Sequence, residues 1–549
     1  MTRKNILFIM CDQLRYDYLG CTGHPTIKTP NIDALAARGV VFSNTYCQAP
    51  TCGPSRNSIY TGRYVSSNGT SVLHAPLRVG EKNIGHYMSP LGVRTALIGK
   101  SHIVPDLDGM ERLGIDPQSE IGRQISQAGW EPYERDDGIH PDALVKPNLK
   151  YNEYLRQKGY DDQDNPWHWV ANAVDTDEGI RSAYFNDCVD KPARVAEEDS
   201  ETPYMTRRAM EFIEQAGDEQ PWLLHLSYIK PHWPYVAPAP YNEMYTEDDV
   251  IPAIRDESEL ENINGLYANF RTRMGAKTFS REEARKKVIP AYMGLISQID
   301  DQLGKLFSFM DQRGLLDNTM IVFTADHGDY LGDHWLGDKE YFHDPSVKIP
   351  LIVVDPDSSA DATRGTVDDA LIEGIDLLPT FLDYHGGDIP RHLLEGRSLL
   401  PKLRGEEIAW RDYAISESDY SFQAFRNDIG TPPLECRSYM IATKEWKYIY
   451  APGYDPVLFD LVNDPNELID LGKSPEHEGI RQKMFIKLAE WSLQYRQRTA
   501  CTEERALHMS GIEDVMGVLI GYWDEEDATN IDPDKLPIHK SVKNRRTAG

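Results

Sequence analysis

The chain has 549 residues and a formal net charge of -29, from 58 Lys and Arg against 87 Asp and Glu. It has no block of Lys and Arg, which excludes the electrostatic footprint of a nucleic-acid-binding protein. No apolar run reaches the length of a membrane span, so we expect neither a nucleic-acid nor a membrane partner, and the length favours one large domain with a smaller one.

Strand and helix signals alternate in the first part of the chain. Residues 6–10 form a continuous apolar run, typical of a strand buried on both faces of a parallel sheet. A helix is predicted to begin at Thr29-Pro30, with Thr29 as N-cap, and to end at Gly39. The next predicted elements are a strand at 40–42, a helix at 57–60 and a strand at 92–99.

The alternation resumes after residue 220. A strand is predicted at 221–227, a helix at 291–312 and a buried strand at 320–324. The helix carries an apolar stripe of Leu295, Ile299, Leu303, Leu306 and Met310. This pattern predicts the α/β class, with a large, mostly parallel mixed sheet sandwiched by helices.

Two regions depart from the alternation. Residues 107–201 are rich in Asp, Gly, Pro, Trp and Asn and weakly periodic, which indicates an insertion over the active face. After residue 403 the strands become shorter, at 414–417, 438–443 and 446–450, and a helix follows at 480–495. We therefore predict a larger domain at 1–403 and a smaller α+β domain with an antiparallel sheet at 404–549. Its end, 524–549, is predicted to be an extended tail or an oligomerisation arm, and we expect a homo-oligomer.

The first residues and the cysteines bear on the compartment. The apolar run at 6–10 is short and has no small-residue cleavage site after it, so we interpret it as a strand and not as a secretion signal. The seven cysteines are scattered, odd in number and without CxxC pairs. They suit a reducing compartment, and we expect cytoplasmic localisation.

Two predicted strands are followed by polar side chains. Asp12 and Gln13 follow the first strand, and Asp326 and His327 follow the strand at 320–324. Because ligands bind beyond the carboxyl ends of parallel strands, these residues could meet at one metal ion. Two carboxylates and an imidazole suit Mn²⁺ or Ca²⁺, and the imidazole favours Mn²⁺. The alternative for either aspartate is an N-cap of the next helix.

The run TCGPSR at 51–56, with TGR at 61–63, is the most informative part of the chain. Taken alone, Cys52 before a proline would be a small buried residue on a turn before a helix. Its core, Cys-x-Pro-Ser-Arg, resembles the maturation signature of type I sulfatases and of the related phosphonate monoester hydrolases. In that family the cysteine is oxidised to formylglycine, so the resemblance implies an aldehyde at position 52 and a formylglycine-generating enzyme as a partner.

Other blocks are similar to the same family in order and spacing over nearly the whole chain. These blocks are LIGKSH at 97–102, KPHWP at 230–234, TADHGD at 324–329, GDK at 337–339, LFDL at 458–461 and DPNE at 464–467. The chain most resembles the phosphonate monoester hydrolase/arylsulfatase branch of the alkaline phosphatase superfamily. The resemblance implies an alkaline phosphatase-like fold and a metal-dependent hydrolase of small anionic esters.

The resemblance also implies roles on the nucleophile side. Cys52, as formylglycine hydrate, would attack sulfur or phosphorus and form a covalent intermediate. Asp12, Asp326, His327 and the oxygen of residue 52 would hold one divalent metal ion. Arg56 would pair with the formylglycine oxygens and fix their orientation.

On the substrate side, Lys100 would neutralise a non-bridging oxygen, and His102 would take the proton of the second hydroxyl. His232 and Lys339 would stabilise or protonate the leaving oxygen. The alternatives are solvated surface residues for the two lysines and a packing role beside Trp233 for His232.

Gln13 and His74 complete the implied substrate site. Gln13 stands where many sulfatases carry a second aspartate, so it is a weak metal ligand or a neighbour of the ligands. His74 lies where the family often places a polar residue that contacts the substrate.

Three functions stay open. The first is a formylglycine-dependent hydrolase of sulfate esters, promiscuous toward phosphonate monoesters and phosphodiesters, or primarily a hydrolase of those two. Lys100 with His102 follows the sulfatase pattern and favours sulfate monoesters. The second is a phosphoryl-transfer enzyme with unmodified Cys52 or Ser55 as nucleophile. The third is a non-catalytic anion- or glycan-binding relative, which the completeness of the motifs disfavours.

Overall fold

The computed structural model describes residues 4–138, 149–160, 165–217, 219–494, 500–511, 521–524, 526–527 and 529. Its strands are, in chain order, β1 (Asn5–Asp12), β2 (Val40–Tyr46), β3 (Arg94–Gly99), β4 (Glu131–Arg135), β5 (Ala173–Thr176), β6 (Gly179–Ser182), β7 (Trp222–Pro231), β8 (Thr319–Ala325), β9 (Lys348–Ile349), β10 (Leu351–Val354), β11 (Thr366–Glu373), β12 (Ala414–Asp419), β13 (Arg437–Ala442), β14 (Trp446–Tyr450) and β15 (Val457–Asp460).

The described residues also form α-helices, numbered in chain order. They are α1 (Pro30–Arg38), α2 (Cys52–Thr61), α3 (Val65–Asn68), α4 (Ile84–Met88), α5 (Leu107–Arg112), α6 (Glu120–Ile125), α7 (Lys150–Gln157), α8 (Glu201–Ala216), α9 (Gly265–Phe270), α10 (Met274–Phe279), α11 (Glu282–Asp311), α12 (Asp344–Val347), α13 (Leu377–Tyr384), α14 (Leu400–Leu403), α15 (Phe425–Ile429), α16 (Glu478–Gln494) and α17 (Glu503–Met509).

In the described part of the chain, the large sheet has nine strands in the order β11-β2-β10-β8-β1-β7-β3-β4, with β9 paired to β2. Its pairs are parallel except where β10 meets β8 and β2 and where β9 meets β2. A second sheet pairs β12 to β15 antiparallel, and β5 and β6 form a hairpin. The predicted α/β class with a large, mostly parallel sheet is confirmed.

The core lies on both faces of β1. All eight residues of β1 are buried, and successive side chains enter opposite apolar clusters, with Leu7 and Ile9 on one face and Ile6 and Phe8 on the other. This is the continuous apolar run that the sequence predicted for a central parallel strand. Burying both faces makes β1 a rigid support for the residue that ends it, Asp12.

Several boundaries differ from the prediction. α11 begins nine residues before residue 291, because Pro290 lies inside the helix instead of before it. The segment 107–201 supplies β4, which extends the large sheet beside β3. The strand β15 was not predicted.

The described residues of 1–389 and 394–492 form one compact unit, and those of 390–393 and 493–549 form another. The first unit holds both main sheets. The predicted division at residue 403 stays a prediction. The predicted helix at 480–495 corresponds to α16, but residue 495 and most of the predicted tail at 524–549 lie outside the described residues. Within the described segments, no helix has both the length and the apolar character needed to cross a bilayer.

Candidate active site

Four neighbouring strands of the large sheet deliver polar residues to the same edge. β8, β1, β7 and β3 are adjacent and parallel. The register pairs Cys11 of β1 with Ala325 of β8, so the next residues, Asp12 and Asp326, emerge side by side. Ligands of open α/β sheets bind beyond such carboxyl ends. The fold therefore places residues that are distant in sequence around one point.

A set of four buried donors lies at this point. Asp12, Cys52, Asp326 and His327 each offer one atom, and these atoms lie within 4.8 Å of one another. Nε2 of His327 is 3.7 Å from Oδ1 of Asp12 and 3.7 Å from Oδ1 of Asp326. Two carboxylates and an imidazole fit a divalent cation such as Mn²⁺ or Ca²⁺, with Sγ of Cys52 marking where a ligand atom of residue 52 lies. The four residues predicted to hold a metal are thus brought together.

Cys52 is the first residue of α2 and only 2% exposed, so its predicted position on a turn is wrong. The helix can begin there because Pro54 lies in its first turn, where a missing N–H costs nothing. Sγ of Cys52 lies 3.1 Å from Nε2 of His327. Ser55, the other candidate nucleophile, donates a 2.6 Å hydrogen bond to the backbone oxygen of Asp326. Its hydroxyl is engaged by the backbone, and Cys52 is the residue that faces the donor set.

Arg56 links three strands of the large sheet, because it contacts Asp326 after β8, Ser227 in β7 and Lys100 after β3. Its Nε donates to Oδ2 of Asp326 at 2.8 Å, and its Nη1 donates to the backbone oxygen of Lys100 at 2.7 Å and to Oγ of Ser227 at 2.8 Å. The side chain is completely buried. These bonds fix the carboxylate of Asp326, while pairing with oxygens on residue 52 stays a prediction.

Two buried lysines flank Cys52. Nζ of Lys100 lies 3.8 Å from Sγ of Cys52 and 2.5 Å from Oδ2 of Asp12. Nζ of Lys339 lies 3.2 Å from the same Sγ. Lys100 is 1% exposed and Lys339 6%, so the alternative that they are solvated surface lysines is wrong. An acidic protein thus carries concentrated positive charge where an anion would meet residue 52.

His232 joins this group through Lys339. Nε2 of His232 lies 3.3 Å from Nζ of Lys339, and Nδ1 lies 2.7 Å from the backbone oxygen of Trp233. Since a carbonyl only accepts, Nδ1 carries the proton, and Nε2 accepts from Lys339. Burial, followed by Lys339, lowers the pKa of His232. The alternative of a histidine that only packs against Trp233 does not explain the contact with Lys339.

Gln13 orients Lys339 from the other side. Oε1 of Gln13 accepts a 2.9 Å bond from Nζ of Lys339, while Nε2 donates to Oδ2 of Asp329 at 2.6 Å and to the hydroxyl of Tyr235 at 3.1 Å. The φ of Gln13 is +64°, which non-glycine residues rarely adopt. Asp329 and Tyr235 were not predicted, although Asp329 ends the block at 324–329 and Tyr235 follows the block at 230–234.

His102 and His74 lie at the more open side. The backbone N–H groups of Ser101 and His102 donate to Oδ1 of Asp137 at 2.9 and 3.0 Å. The ring centroids of His102 and His74 are 6.3 Å apart; His102 is half-buried and His74 exposed. Asp137 lies in the weakly periodic segment, and nothing in the sequence signalled its role in holding His102.

The electrostatics match an anion-handling centre. Burial raises the pKa of the Cys52 thiol, but Lys100, Lys339 and His327 together lower it well below its ordinary value. Burial and Cys52 raise the pKa of Asp12, but Lys100, His232 and Arg56 hold it below its usual range. Negative charge at residue 52 and at its carboxylate neighbour is therefore stabilised by the surrounding cations.

The family models match both parts of the chain. The model "Sulfatase" matches residues 4–387, and the model "N-sulphoglucosamine sulphohydrolase, C-terminal" matches residues 332–494.

Curated relatives and solved structures cover most of the chain. A multifunctional alkaline phosphatase superfamily protein, PehA, of Trinickia caryophylli is 31% identical over 91% of this chain and 97% of its own length. An arylsulfatase of Clostridium perfringens is 28% identical over 87% of this chain and 92% of its own length. The structure of a phosphonate monoester hydrolase of Agrobacterium radiobacter superimposes with a TM-score of 0.79, is 26% identical and covers 92% of this chain and 99% of its own.

Proposed function

The chain belongs to the sulfatase family, a family of sulfuric ester hydrolases, and from that premise we propose that it hydrolyses sulfate esters of the arylsulfatase type. We propose that it also accepts phosphonate monoesters and phosphodiesters. The observation that carries the proposal is the placement of Cys52 among three metal-type donors and two buried lysines. A non-catalytic anion-binding protein would not need a reactive position enclosed in this way.

The proposal includes one divalent metal ion, with Mn²⁺ favoured over Ca²⁺, and conversion of Cys52 to formylglycine. When present, the metal lowers the pKa of an oxygen ligand, and the hydrate of formylglycine provides a hydroxyl nucleophile. Asp12, Asp326 and His327 would hold the metal, and Arg56 would keep Asp326 in place. Their placement on adjacent buried strands gives the site the rigidity that such chemistry requires.

The other predicted site residues would contact different parts of the ester. Lys100 lies between Asp12 and residue 52, which suits contact with a non-bridging oxygen. Lys339 and His232 form the other cationic side, which suits the departing oxygen. His102 would accept the proton that regenerates the aldehyde, and Gln13 would orient Lys339 and contact the substrate. His74 would contact the substrate at the open side.

A second candidate is a primary phosphonate monoester hydrolase or phosphodiesterase. Two phosphonate monoester hydrolase structures superimpose with TM-scores of 0.79 and 0.78, which favours this candidate. The pair Lys100 and His102 favours sulfate, because it follows the sulfatase pattern. A cationic pocket can serve both esters, so the two activities differ in rate and not in mechanism.

We further propose a cytoplasmic enzyme that a formylglycine-generating enzyme matures and that assembles as a homo-oligomer. All seven cysteines are free, which supports a reducing compartment. Mass spectrometry of the peptide that contains residue 52 tests maturation, because the aldehyde form is about 18 Da lighter than the cysteine form, one oxygen replacing sulfur and two hydrogens.

The test of function is a parallel screen of aryl sulfates, phosphonate monoesters and phosphodiesters. Wild-type protein should turn over at least one class, and protein treated with a chelator should regain activity with Mn²⁺ or Ca²⁺. Cys52→Ala should lose several orders of magnitude in rate, while its circular dichroism spectrum stays unchanged. Wild-type activity in Cys52→Ala would exclude residue 52 as nucleophile, and inactivity toward all three classes would exclude the proposed function.

A further inference from the structure

A row of aromatic rings runs from His232 to the protein surface. The ring centroid of His232 lies 4.3 Å from that of Trp233, which lies 5.8 Å from that of Tyr184. Tyr184 in turn stacks on His168 at 5.5 Å with an interplanar angle of 23°. Exposure rises from 4% at His232, through half-buried Trp233, to 39% at Tyr184, and His168 is half-buried. We call these four residues the aromatic row.

The row joins a strand end to the segment that the sequence marked as an insertion. His232 and Trp233 follow β7, whereas His168 and Tyr184 flank the β5–β6 hairpin. Nζ of Lys230 fastens the two parts together, because it donates to Oδ1 of Asn172 at 2.9 Å and to the backbone oxygen of Pro234 at 2.8 Å. The rings are therefore held in place beside the strand end by buried polar contacts.

The buried end of the row, His232, lies beside Lys339 and Cys52 of the candidate active site. Nε2 of His232 is 3.3 Å from Nζ of Lys339, and that Nζ is 3.2 Å from Sγ of Cys52. A leaving group whose oxygen lies near Lys339 and His232 would extend its carbon skeleton along the next rings, Trp233 and Tyr184. Ring faces and edges attract flat apolar groups, and the row contributes no lysine, arginine, aspartate or glutamate.

We propose that the aromatic row is the leaving-group subsite and that it selects esters of flat aromatic alcohols with more than one ring. This inference rests on the proposed function, since it names the alcohol of the ester cleaved at residue 52. A sugar alcohol fits less well, because its several hydroxyls would find few polar atoms in the row, namely the tyrosine hydroxyl, the tryptophan N–H and the histidine ring nitrogens. The buried amide of Asn172 is already engaged, by Lys230 and by the backbone oxygen of Trp167.

Equilibrium binding to Cys52→Ala protein, measured by calorimetry with Mn²⁺ present, tests the subsite without turnover. The probes are 2-naphthyl sulfate, phenyl sulfate, ethyl sulfate and glucose 6-sulfate. We expect 2-naphthyl sulfate to bind most tightly. Adding Tyr184→Ala should weaken it about fivefold, the loss expected for one stacked aromatic pair, and should leave ethyl sulfate unchanged.

The matched control is Phe185→Ala. Phe185 is the next residue and is 60% exposed, but its ring lies against Arg181, with the guanidinium 5.1 Å from the ring centroid. It should leave all four affinities unchanged. In the active enzyme, Tyr184→Ala should raise KM for 2-naphthyl sulfate and leave kcat unchanged, because remote binding that is equal in ground and transition states affects KM alone.

The outcomes separate the two proposals. If the sulfates bind but Tyr184→Ala weakens none of them, or weakens all of them equally, the subsite is excluded and the proposed function stands. Tighter binding of glucose 6-sulfate than of 2-naphthyl sulfate would also overturn the subsite in favour of a glycan substrate. If no sulfate binds to Cys52→Ala and the wild-type screen is negative, the proposed function fails and the subsite fails with it.

Discussion

His232 and Lys339 contact each other beside Cys52, and neither contacts the carboxylates of the donor set. Lys339 contacts residue 52, Gln13 and His232, whereas Lys100 and Arg56 contact the carboxylates. The negative charge on a departing oxygen needs its own stabilisation, and this pair is placed to provide it.

His232→Ala should therefore slow poor leaving groups most. We expect a loss of about a hundredfold or more in kcat/KM for alkyl esters, because Lys339 loses the imidazole that orients it toward the departing oxygen. The loss should be small for nitrophenyl esters, which leave without protonation. The plot of log kcat/KM against leaving-group pKa should become steeper. A parallel fall for all esters would instead assign His232 to packing or substrate positioning.

At the level of single residues, the sequence predicted those that end strands or lie in motif blocks. Asp12 and Asp326 were predictable because parallel strands end at one edge, and the register of β1 with β8 places them together. Tyr235 and Asp137 were not, because each acts only by orienting another residue across the fold. Such partners depend on tertiary geometry, which spacing along the chain does not encode.

At the level of elements, the loop that carries Lys339 is held by residues outside the large sheet. Nη1 of Arg273, just before α10, donates to the backbone oxygen of Lys339 at 2.9 Å, and Nη2 donates to Oδ2 of Asp338 at 3.1 Å. Oγ of Ser418 in β12 donates to the backbone oxygen of Glu340 at 3.4 Å. Ser418 of the second sheet and Arg273 thus both hold the loop that carries Lys339.

Arg273→Ala should reduce kcat by about tenfold to a hundredfold, because a displacement of Lys339 of about 1 Å misplaces it relative to the ester. The matched control is Lys277→Ala, an exposed cation in α10, four residues after Arg273. Steady-state kinetics and thermal unfolding of both variants provide the measurement. Equal kcat in both variants, or a loss that follows the unfolding temperature alone, would show that Arg273 does not act through Lys339.

The sequence predicted helices and strands correctly where the apolar pattern was strong. The prediction failed where that pattern was weak. The buried strands β1 and β8 were predicted correctly, because a continuous apolar run of this short length is typical of a buried strand and is too short for a helix. α11 was predicted nine residues too short, because the apolar stripe used for the prediction begins at Leu295 and does not include the first turns of the helix. β4 was missed because its sequence, EPYER, lacks an apolar run and is a strand only by pairing with β3.

At the scale of the whole molecule, the net charge of -29 contrasts with the local positive charge at the candidate active site. A second buried ion cluster joins the β12–β15 sheet to residues 342–344, which follow the loop that carries Lys339. Nζ of Lys447 in β14 lies 2.6 Å from Oδ1 of Asp344 and 2.5 Å from Oε1 of Glu467, and it donates to the backbone oxygen of Phe342 at 3.1 Å. Lys447 is completely buried.

Lys447→Met should destabilise the protein by about 3–5 kcal/mol near neutral pH, because it leaves the buried carboxylate of Glu467 without its cation. Asp344 is half-buried and keeps Lys348 at 3.6 Å. The control is Lys444→Met on the same hairpin. Lys444 pairs with Asp369 at 2.8 Å, but its side chain is 49% exposed, so about 1 kcal/mol or less is expected. Denaturant unfolding of both variants measures the loss in the free energy of unfolding. An equal loss in both would show that the buried ion cluster stabilises the protein no more than an exposed ion pair does.

The effect of Lys447→Met should also depend on pH. Burial and Asp344 raise the pKa of Glu467, while Lys447 lowers it, so removing Lys447 raises that pKa further. The folded variant then binds a proton that the unfolded chain releases above the ordinary pKa of a glutamate. Its stability is therefore present at low pH and lost as the pH rises through the raised pKa. We expect the destabilisation relative to wild type to be smaller at about pH 5 than at about pH 8, as measured by denaturant unfolding at both pH values. A difference that stays constant or grows toward low pH would mean that Glu467 is not the group left without its cation.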